Sequence, residues 1–386
     1  MKNILHWRSI SHGFQHLIKQ FDGWLVISIL FLCCLGLIAM FSAGYDHGER
    51  FSQHSRNMLI AFCVFLAVSQ IPPQRLLLLA LPLSSTGVLL LIATELFGIT
   101  KKGSTRWIDL GIVIQPSEIM KIAMPLMMAW WFHRREGALR VLDFMISGIL
   151  LMIPVALILK QPDLGTAILV FSSGFFVIFF AGLSWRILIP LAVLGFIGIG
   201  ILIGFGDAMC ASTQPWPGLH DYQKQRICTL LDPTADPLGK GFHIIQGTIA
   251  IGSGGVLGKG FMKGTQTHLE FIPERTTDFI FAAYGEEFGL LGVLILLTAF
   301  LVLILRCLWI SAGAIMLFSR LLAGSIALSI FTYVFVNMGM VSGILPVVGI
   351  PLPFISYGGT SMLIMGLTLG MVMSIARQRG FLMHRS

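Results

Sequence analysis

Charge is what this sequence has least of. Of 386 residues, 26 are Lys or Arg and 18 are Asp or Glu, so 11% are charged, where a soluble domain carries about 25%. With 56% hydrophobic residues and a mean hydropathy of +0.86, the chain cannot cover itself with a water-facing surface. That excludes a soluble globular protein, and lipid must do the covering. Recognisable nucleotide and metal motifs are missing too. The glycine-rich "GSGGVLGKG" fails as a Walker loop, because Ser253 stands where the first Gly belongs and Gly260 follows the Lys. It fails as a dinucleotide fingerprint from Gly252, because Leu257 replaces the third Gly. Backbone amides of such a loop can still approach a phosphate, or the glycines can simply keep it loose. Ten histidines form no His-Glu-x-x-His pair and no Cys/His cluster, so no zinc site is visible.

What is present is apolar runs. Ten of them, centred near 24–42, 57–71, 76–97, 117–132, 144–160, 164–182, 186–205, 280–305, 322–344 and 356–376, read as spanning helices. Backbone groups in lipid must be satisfied within their own segment. The expectation is an all-α, polytopic integral membrane protein, a single membrane domain over 1–386. Residues 206–281 form one large, partly ordered extracytoplasmic loop, and connections this long are usually functional or disordered. No small-residue cleavage site follows the first run, which reads as a retained anchor. The stretch "GILPVVGIPLPFISYGG" should be broken or re-entrant, because Gly and Pro interrupt it.

Positive residues set orientation. With both termini cytoplasmic, the inner side holds Lys2, Arg8, Lys19, Arg134, Arg135, Arg140, Arg306, Arg320 and Arg377 among others; the short outer loops hold Arg50, Arg56, Lys101, Lys102, Arg106 and Lys160. This distribution accounts for the net charge of +8 without nucleic acid as a partner. Acidic residues lean the other way, with only Asp22, Glu136 and Asp143 inside. Topology does not require that bias, so it points to chemistry facing outward. Cys33, Cys34 and Cys63 lie in spans and read as small core residues. Cys210 and Cys228 share the outer loop, where oxidising conditions allow them to join, although their spacing does not demand it.

Ionisable residues inside apolar runs usually mark a pathway or site. Glu118 and Lys121, three apart in "QPSEIMKIAMP", share a helical face and can pair; they are either a neutralised structural pair or part of a polar cavity. Arg106 and Trp107 precede them in "KKGSTRWIDLG". An interfacial Trp is ordinary, whereas Arg106 can neutralise a phosphate. Asp163 in "KQPDLGTAIL" suits a helix N-cap, a site, or both. Asp278 opens the eighth span in "RTTDFIFAAYGEE", again as cap or site. Ala282, Gly285 and Gly289 follow it on one nearly bare face, which either packs a neighbouring helix or receives an acyl chain. At 100° per residue, Glu286 and Glu287 point elsewhere in the bundle.

These residues resemble the SEDS (shape, elongation, division and sporulation) family of peptidoglycan glycosyltransferases, in its elongation branch. The resemblance runs along the whole chain through "RWIDLG", "QPSEIMKIA", "QPDLGTAIL", "DYQKQRI", "LLDPTADPLGKGFHIIQGTIAIGSGG", "GKGFMKGTQTHLEFIPERTTDFIFA" and "GILPVVGIPLPFISYGGTS". It implies polymerisation of lipid II, a disaccharide-pentapeptide on undecaprenyl pyrophosphate, at the outer face of the bacterial inner membrane. It places the family's essential aspartate on Asp278 as general base, and its other functional polar positions on Arg106, Trp107, Glu118, Lys121 and Asp163. The departing pyrophosphate needs positive charge; the candidates are Arg106, Lys121, Lys259, Lys263 and Arg275, with a divalent cation (Mg or Mn) as a further source. The implied partners are a class B penicillin-binding protein, other elongation-complex membrane proteins and membrane lipid. Two departures stand out: Thr276 occupies a position where relatives commonly carry His, and "CASTQPWPGLH" is longer than usual. Competing readings are a lipid II flippase or transporter, favoured by broken helices and intramembrane charge, and a scaffold for a transpeptidase.

Overall fold

The structure is a computed structural model describing residues 21–45, 48–101, 104–109, 111, 113–137, 139–211, 216, 221–236, 239–269, 271–272 and 274–383. Lys2, Arg8, Lys19, Lys102 and most of "CASTQPWPGLH" lie outside the described residues.

Ten long helices stand where the ten runs were expected: α1 (Gly23–Ala43), α2 (Gly48–Val68), α3 (Pro73–Phe97), α4 (Pro116–His133), α5 (Val141–Lys160), α6 (Leu164–Phe180), α7 (Trp185–Ala211), and, after three shorter helices, α11 (Ile280–Ala312), α12 (Leu317–Val341) and α13 (Gly359–Met383). The shorter ones are α8 (Asp221–Leu231), α9 (Lys240–Gly254) and α10 (Thr265–His268). Among the described residues, 7 helices are long and apolar enough to cross a membrane. The others fall short for visible reasons. α6 has only 17 residues, α2 carries Arg50, Gln53, His54, Arg56 and Asn57, and α4 carries Glu118 and Lys121. The chain is an all-α, multi-pass membrane protein. α7 continues to Ala211, with its apolar span ending at Gly206.

Local chemistry sets the helix starts. Asp22 caps α1 by accepting from the Leu25 N–H at 3.0 Å, and Pro116 opens α4 at a position that needs no donor. α12 is the central post: 78% of its most apolar stretch is buried, against 0% of α7's. It packs on α11, α6 and α4. Ser325 donates to the Ser173 carbonyl at 2.6 Å, a hydrogen bond between α12 and α6. Arg306, near the far end of α11, closes a two-pronged contact on Asp22 at 2.9 and 2.6 Å. Cys34 and Cys63 are exposed and only Cys33 is half-buried. The core placement expected for them is corrected, since lipid tolerates a thiol as readily as a core does.

An antiparallel sheet that the sequence reading did not anticipate sits between α3 and α4. Its strands are β1 (Ile99–Lys101), β2 (Ser104–Asp109) and β3 (Val113–Ile114), in the order β1-β2-β3. Ile99 pairs with Trp107, and Ile108 with Ile114.

α11 is broken. Gly289 has φ 62° and ψ −163°, a conformation closed to L side chains, so the helical hydrogen bonds fail there. The glycine-rich loop after α9 mends the gap. The Lys259 and Gly260 N–H groups donate to the Glu286 and Glu287 carbonyls at 3.0 Å each. The Leu290 and Leu291 N–H groups donate back to Gly255 and Val256 at 2.9 and 3.1 Å. A Cβ on Gly258 would run into the Glu287 carbonyl. The glycines therefore serve close backbone approach, and neither a nucleotide loop nor mere looseness.

The same junction answers what Glu286 and Glu287 pair with. Glu286 is fully buried and accepts from Lys259 Nζ (2.7 Å), Thr265 Oγ1 (3.0 Å), the N–H groups of Gln266 (3.0 Å) and Thr267 (3.3 Å), and Thr267 Oγ1 (3.3 Å). Glu287 accepts from Ser42 Oγ on α1 at 2.5 Å. Breaking a buried pair from one side costs about 3–5 kcal/mol. Glu286→Ala should therefore lower the unfolding midpoint in detergent sharply, and Glu286→Gln, which keeps an acceptor, should lower it less. Equal midpoints for the native chain and Glu286→Ala would show the junction contributes nothing.

Candidate functional site

Three peptide segments converge at one end of the bundle. The first is the turn before α11. Asp278 is half-exposed there, and the cap position of α11 is Phe279, so Asp278 does not act as the cap. The second is the start of α6. Asp163 caps it by accepting from the Thr166 N–H at 3.1 Å. Its other oxygen takes Gln115 Nε2 at 2.9 Å and lies 3.5 Å from Arg106 Nη1. The third is residues 347–350, within the interrupted stretch after α12. The Gly165 Cα lies so close to this segment that a Cβ there would sit 2.7 Å from the Val348 carbonyl. A Cβ on Gly349 would sit 3.3 Å from Asp278 Oδ2. The segment thus runs between Asp163 and Asp278 and joins the two halves of the site.

Asn337, fully buried on α12, fixes that join. Its Nδ2 donates to the Ile350 carbonyl at 2.7 Å and to the Asp278 carbonyl at 3.0 Å. Arg226 of α8 lies against the same segment, donating from Nη1 to the Val347 carbonyl at 2.5 Å. Burial holds its guanidinium below its ordinary value, and Arg106 adds to this, while Tyr222, Asp163 and Asp278 oppose it. Arginine stays charged under such a shift. Arg226 therefore lies within electrostatic range of both carboxylates.

Lys121 pairs with Glu118 at 2.5 Å, also faces Asp163, and lies 5.9 Å from the Tyr333 ring centre. Glu118 Oε2 is buried with no protein partner among the described residues. Successive strand residues face opposite ways. Arg106 accordingly turns to Asp163, while Trp107 lines an apolar groove of about 610 Å³ between α3, α4 and α13, with Glu118 at its polar edge. A second apolar groove, about 680 Å³, runs along α11 and α12 below Gly285 and Gly289. The bare face under Asp278 packs a neighbouring helix, with Gly285 against Ile251 of α9, and it also lines the groove.

Other candidate cations sit elsewhere. Lys259, expected as a phosphate ligand, is engaged by Glu286 and Thr265. Arg275, 4% exposed, donates to the Ala43 and Thr267 carbonyls at 3.0 and 2.8 Å and ties the turn to α1 and α10. Lys263 is exposed at the loop edge. Thr276 is buried, with Arg50 donating to its hydroxyl and the Tyr357 N–H to its carbonyl at 2.8 Å. Sequence reasoning missed Arg226, Gln115 and Asn337 as site residues. The first two lay inside quoted motifs, and Asn337 is a lone amide in an apolar run. No group of three or more His, Cys, Asp or Glu among the described residues suits a metal ion.

Fold and site together define a multi-pass membrane protein with a partly buried polar cluster of three cations and three carboxylates, flanked by apolar grooves. The model of the FtsW/RodA/SpoVE family of cell cycle proteins matches residues 23–380, and the chain belongs to that family. It is 46% identical over 362 residues to the peptidoglycan glycosyltransferase MrdB of Escherichia coli (strain K12), covering 93% of this chain and 94% of that one. Among solved structures it resembles a chain from a peptidoglycan synthase complex described as coordinating polymerization and crosslinking (32% identity, TM-score 0.75, 93% and 98% covered). It also resembles the Thermus thermophilus rod shape determining protein RodA (27% identity, TM-score 0.68, 93% and 97% covered).

The Asn337 bridge generates a prediction. Asn337→Leu keeps volume but strips two buried carbonyls of their donor, at a cost of about 1–3 kcal/mol. Thermal unfolding should fall accordingly, and amide exchange around 278 and 350 should rise. Unchanged exchange at both places would show that the bridge does not hold the turn.

Proposed function

We propose that the chain polymerises lipid II into glycan strands for cell elongation and rod shape, with Asp278 as general base. The enzyme class rests on the family and on relatives named as peptidoglycan glycosyltransferases. The observation supporting the residue roles is the meeting of a half-exposed carboxylate with Arg226 and, across residues 347–350, with Arg106, Lys121 and Asp163.

On this reading Asp278 takes the proton from a sugar hydroxyl of one lipid-linked substrate. The hydroxyl oxygen forms its bond to the anomeric carbon of the other, and the bond from that carbon to pyrophosphate breaks with inversion. Undecaprenyl pyrophosphate leaves with the electron pair. It needs fixed positive charge rather than a proton, and Arg226, Arg106 and Lys121 supply it in a low-dielectric setting. Glu118 Oε2 is an acceptor for a substrate donor, and the two apolar grooves suit acyl chains. A divalent cation is proposed only as a companion of the pyrophosphate, since Mg²⁺ sites commonly combine one or two carboxylates with substrate phosphates. No step runs through it.

The proposed setting is the bacterial cytoplasmic membrane, with both termini inside and the Asp278 end outside. The cation distribution favours it, and so does a disulfide near that end, between Cys210 and Cys228. A class B penicillin-binding protein is the proposed partner, joined by other elongation-complex proteins. The similar chain from a synthase complex supports this. Transport loses ground as an alternative, because Glu286 and Glu287 have structural partners.

The test is purified protein and its partner with lipid II, native against Asp278→Asn. Glycan product should fall about 10²–10⁴-fold with substrate binding retained. Equal product from both chains would end the assignment of Asp278. Lipid II crossing vesicles without any polymerisation would favour the transporter.

A further inference from the structure

α7 has almost nothing to hold it. None of its most apolar stretch is buried, and Phe196, Ile203 and Phe205 are 76%, 72% and 65% exposed. Among the described residues, α8 is the one element against which it packs extensively. Two features make that junction. Gly206 presents bare backbone to the Leu231 side chain, and Cys210 of α7 is bonded to Cys228 of α8. α8, in turn, faces the site. Tyr222 donates to the Leu159 carbonyl at 3.3 Å, and Arg226 lies against Val347. Cys228 and Arg226 are two residues apart, so they project about 200° from each other around the helix. One side of α8 is bonded to α7, and the opposite side carries the guanidinium that lies against Val347, within electrostatic range of Asp163 and Asp278.

We propose that the Cys210–Cys228 disulfide is a positioning clamp for Arg226. α7 cannot leave lipid, so a covalent bond to its end restricts how far α8 can swing. That restriction holds Arg226 over residues 347–350, where a displacement of about 1 Å would weaken its grip on a departing pyrophosphate. The two cysteines are positioning residues and touch no substrate. The proposal rests on the glycosyl-transfer reading, which gives Arg226 its anion. It also makes the site dependent on the thiol chemistry of its surroundings. A dithiol reductant attacks one sulfur, then closes to its own cyclic disulfide; it gives up two electrons and leaves two protein thiols. The remaining cysteines, Cys33, Cys34, Cys63 and Cys307, are already thiols, so within this chain a reductant changes only this bond.

The experiment is lipid II polymerisation by the full chain with its partner, oxidised and after dithiothreitol. Reduction should lower kcat/KM about tenfold to a hundredfold. Cys210→Ser/Cys228→Ser should match the reduced native chain and ignore the reductant. Arg226→Lys should cost clearly less in the double-serine background than in the native chain, a coupling that a merely stabilising disulfide would not produce. If the double-serine chain fails to fold, reduction of the folded native chain still decides. Full activity after confirmed reduction overturns the clamp, as does an Arg226→Lys cost equal in both backgrounds. If the oxidised native chain makes no glycan, the glycosyl-transfer reading falls and takes the clamp with it.

Discussion

The break in α11 is the constraint on which most of this structure hangs. In hydrocarbon an unpaired backbone group costs several kcal/mol, so a helix can break there only where another segment supplies partners. The loop at 255–260 does this with four backbone hydrogen bonds across Gly289. Its presence brings Lys259 to Glu286, and Glu286 then receives the N–H groups of Gln266 and Thr267. Thr267 accepts Arg275, which also reaches Ala43 on α1. Each contact sets the position of the next. At the end of the series stands the turn that carries Asp278, three residues beyond Arg275. A backbone problem solved at one glycine thereby fixes a side chain near the opposite end of the same helical turn region.

The second half of the site is placed by different means. Asp163 is pinned by its own helix start, Gln115 by the beginning of α4, and Arg106 by a short sheet. Among the described residues, the halves meet at residues 347–350, an irregular segment, and at Arg226 beside it. Asn337 and Arg226 supply hydrogen bonds to the segment from either side. Buried polar groups left without partners are expensive. Irregular backbone at this spot therefore requires an amide from α12 and a guanidinium from α8. The interrupted stretch and the missed residues are two views of one requirement.

This explains what the sequence could and could not disclose. Spans, the Glu118–Lys121 pair and the Asp163 cap depend on composition or on spacings of a few residues, and all were legible. The interruption after α12 was legible from Gly and Pro. The sheet was not, because three strands of two to six residues beside glycines look like any polar loop. Gly289 read as a packing residue, since a helix break leaves no mark in an apolar run when its partner segment lies thirty residues away. Lys259 and Glu286 are 27 residues apart and meet only through that mend. Arg226 and Asn337 act across 121 and 13 residues on a segment whose path no local pattern specifies.

The assignment of a base gains from asking what each carboxylate is already doing. Glu286 receives five donors, and Glu287 a short hydrogen bond from Ser42. Asp163 caps a helix while taking Gln115 and facing Arg106. Glu118 shares one oxygen with Lys121. Glu286 and Asp163 each gather several contacts on one side chain, so removing either carboxylate would release them together. A general base must gain and lose a proton in every cycle without disturbing its frame. At Asp278 the tie to that frame runs through the backbone. Its backbone carbonyl, not its carboxylate, carries the Asn337 bridge, and the carboxylate lies half-exposed over a glycine. On the proposed chemistry, the proton is handled by the carboxylate whose backbone, rather than its side chain, is tied to α12.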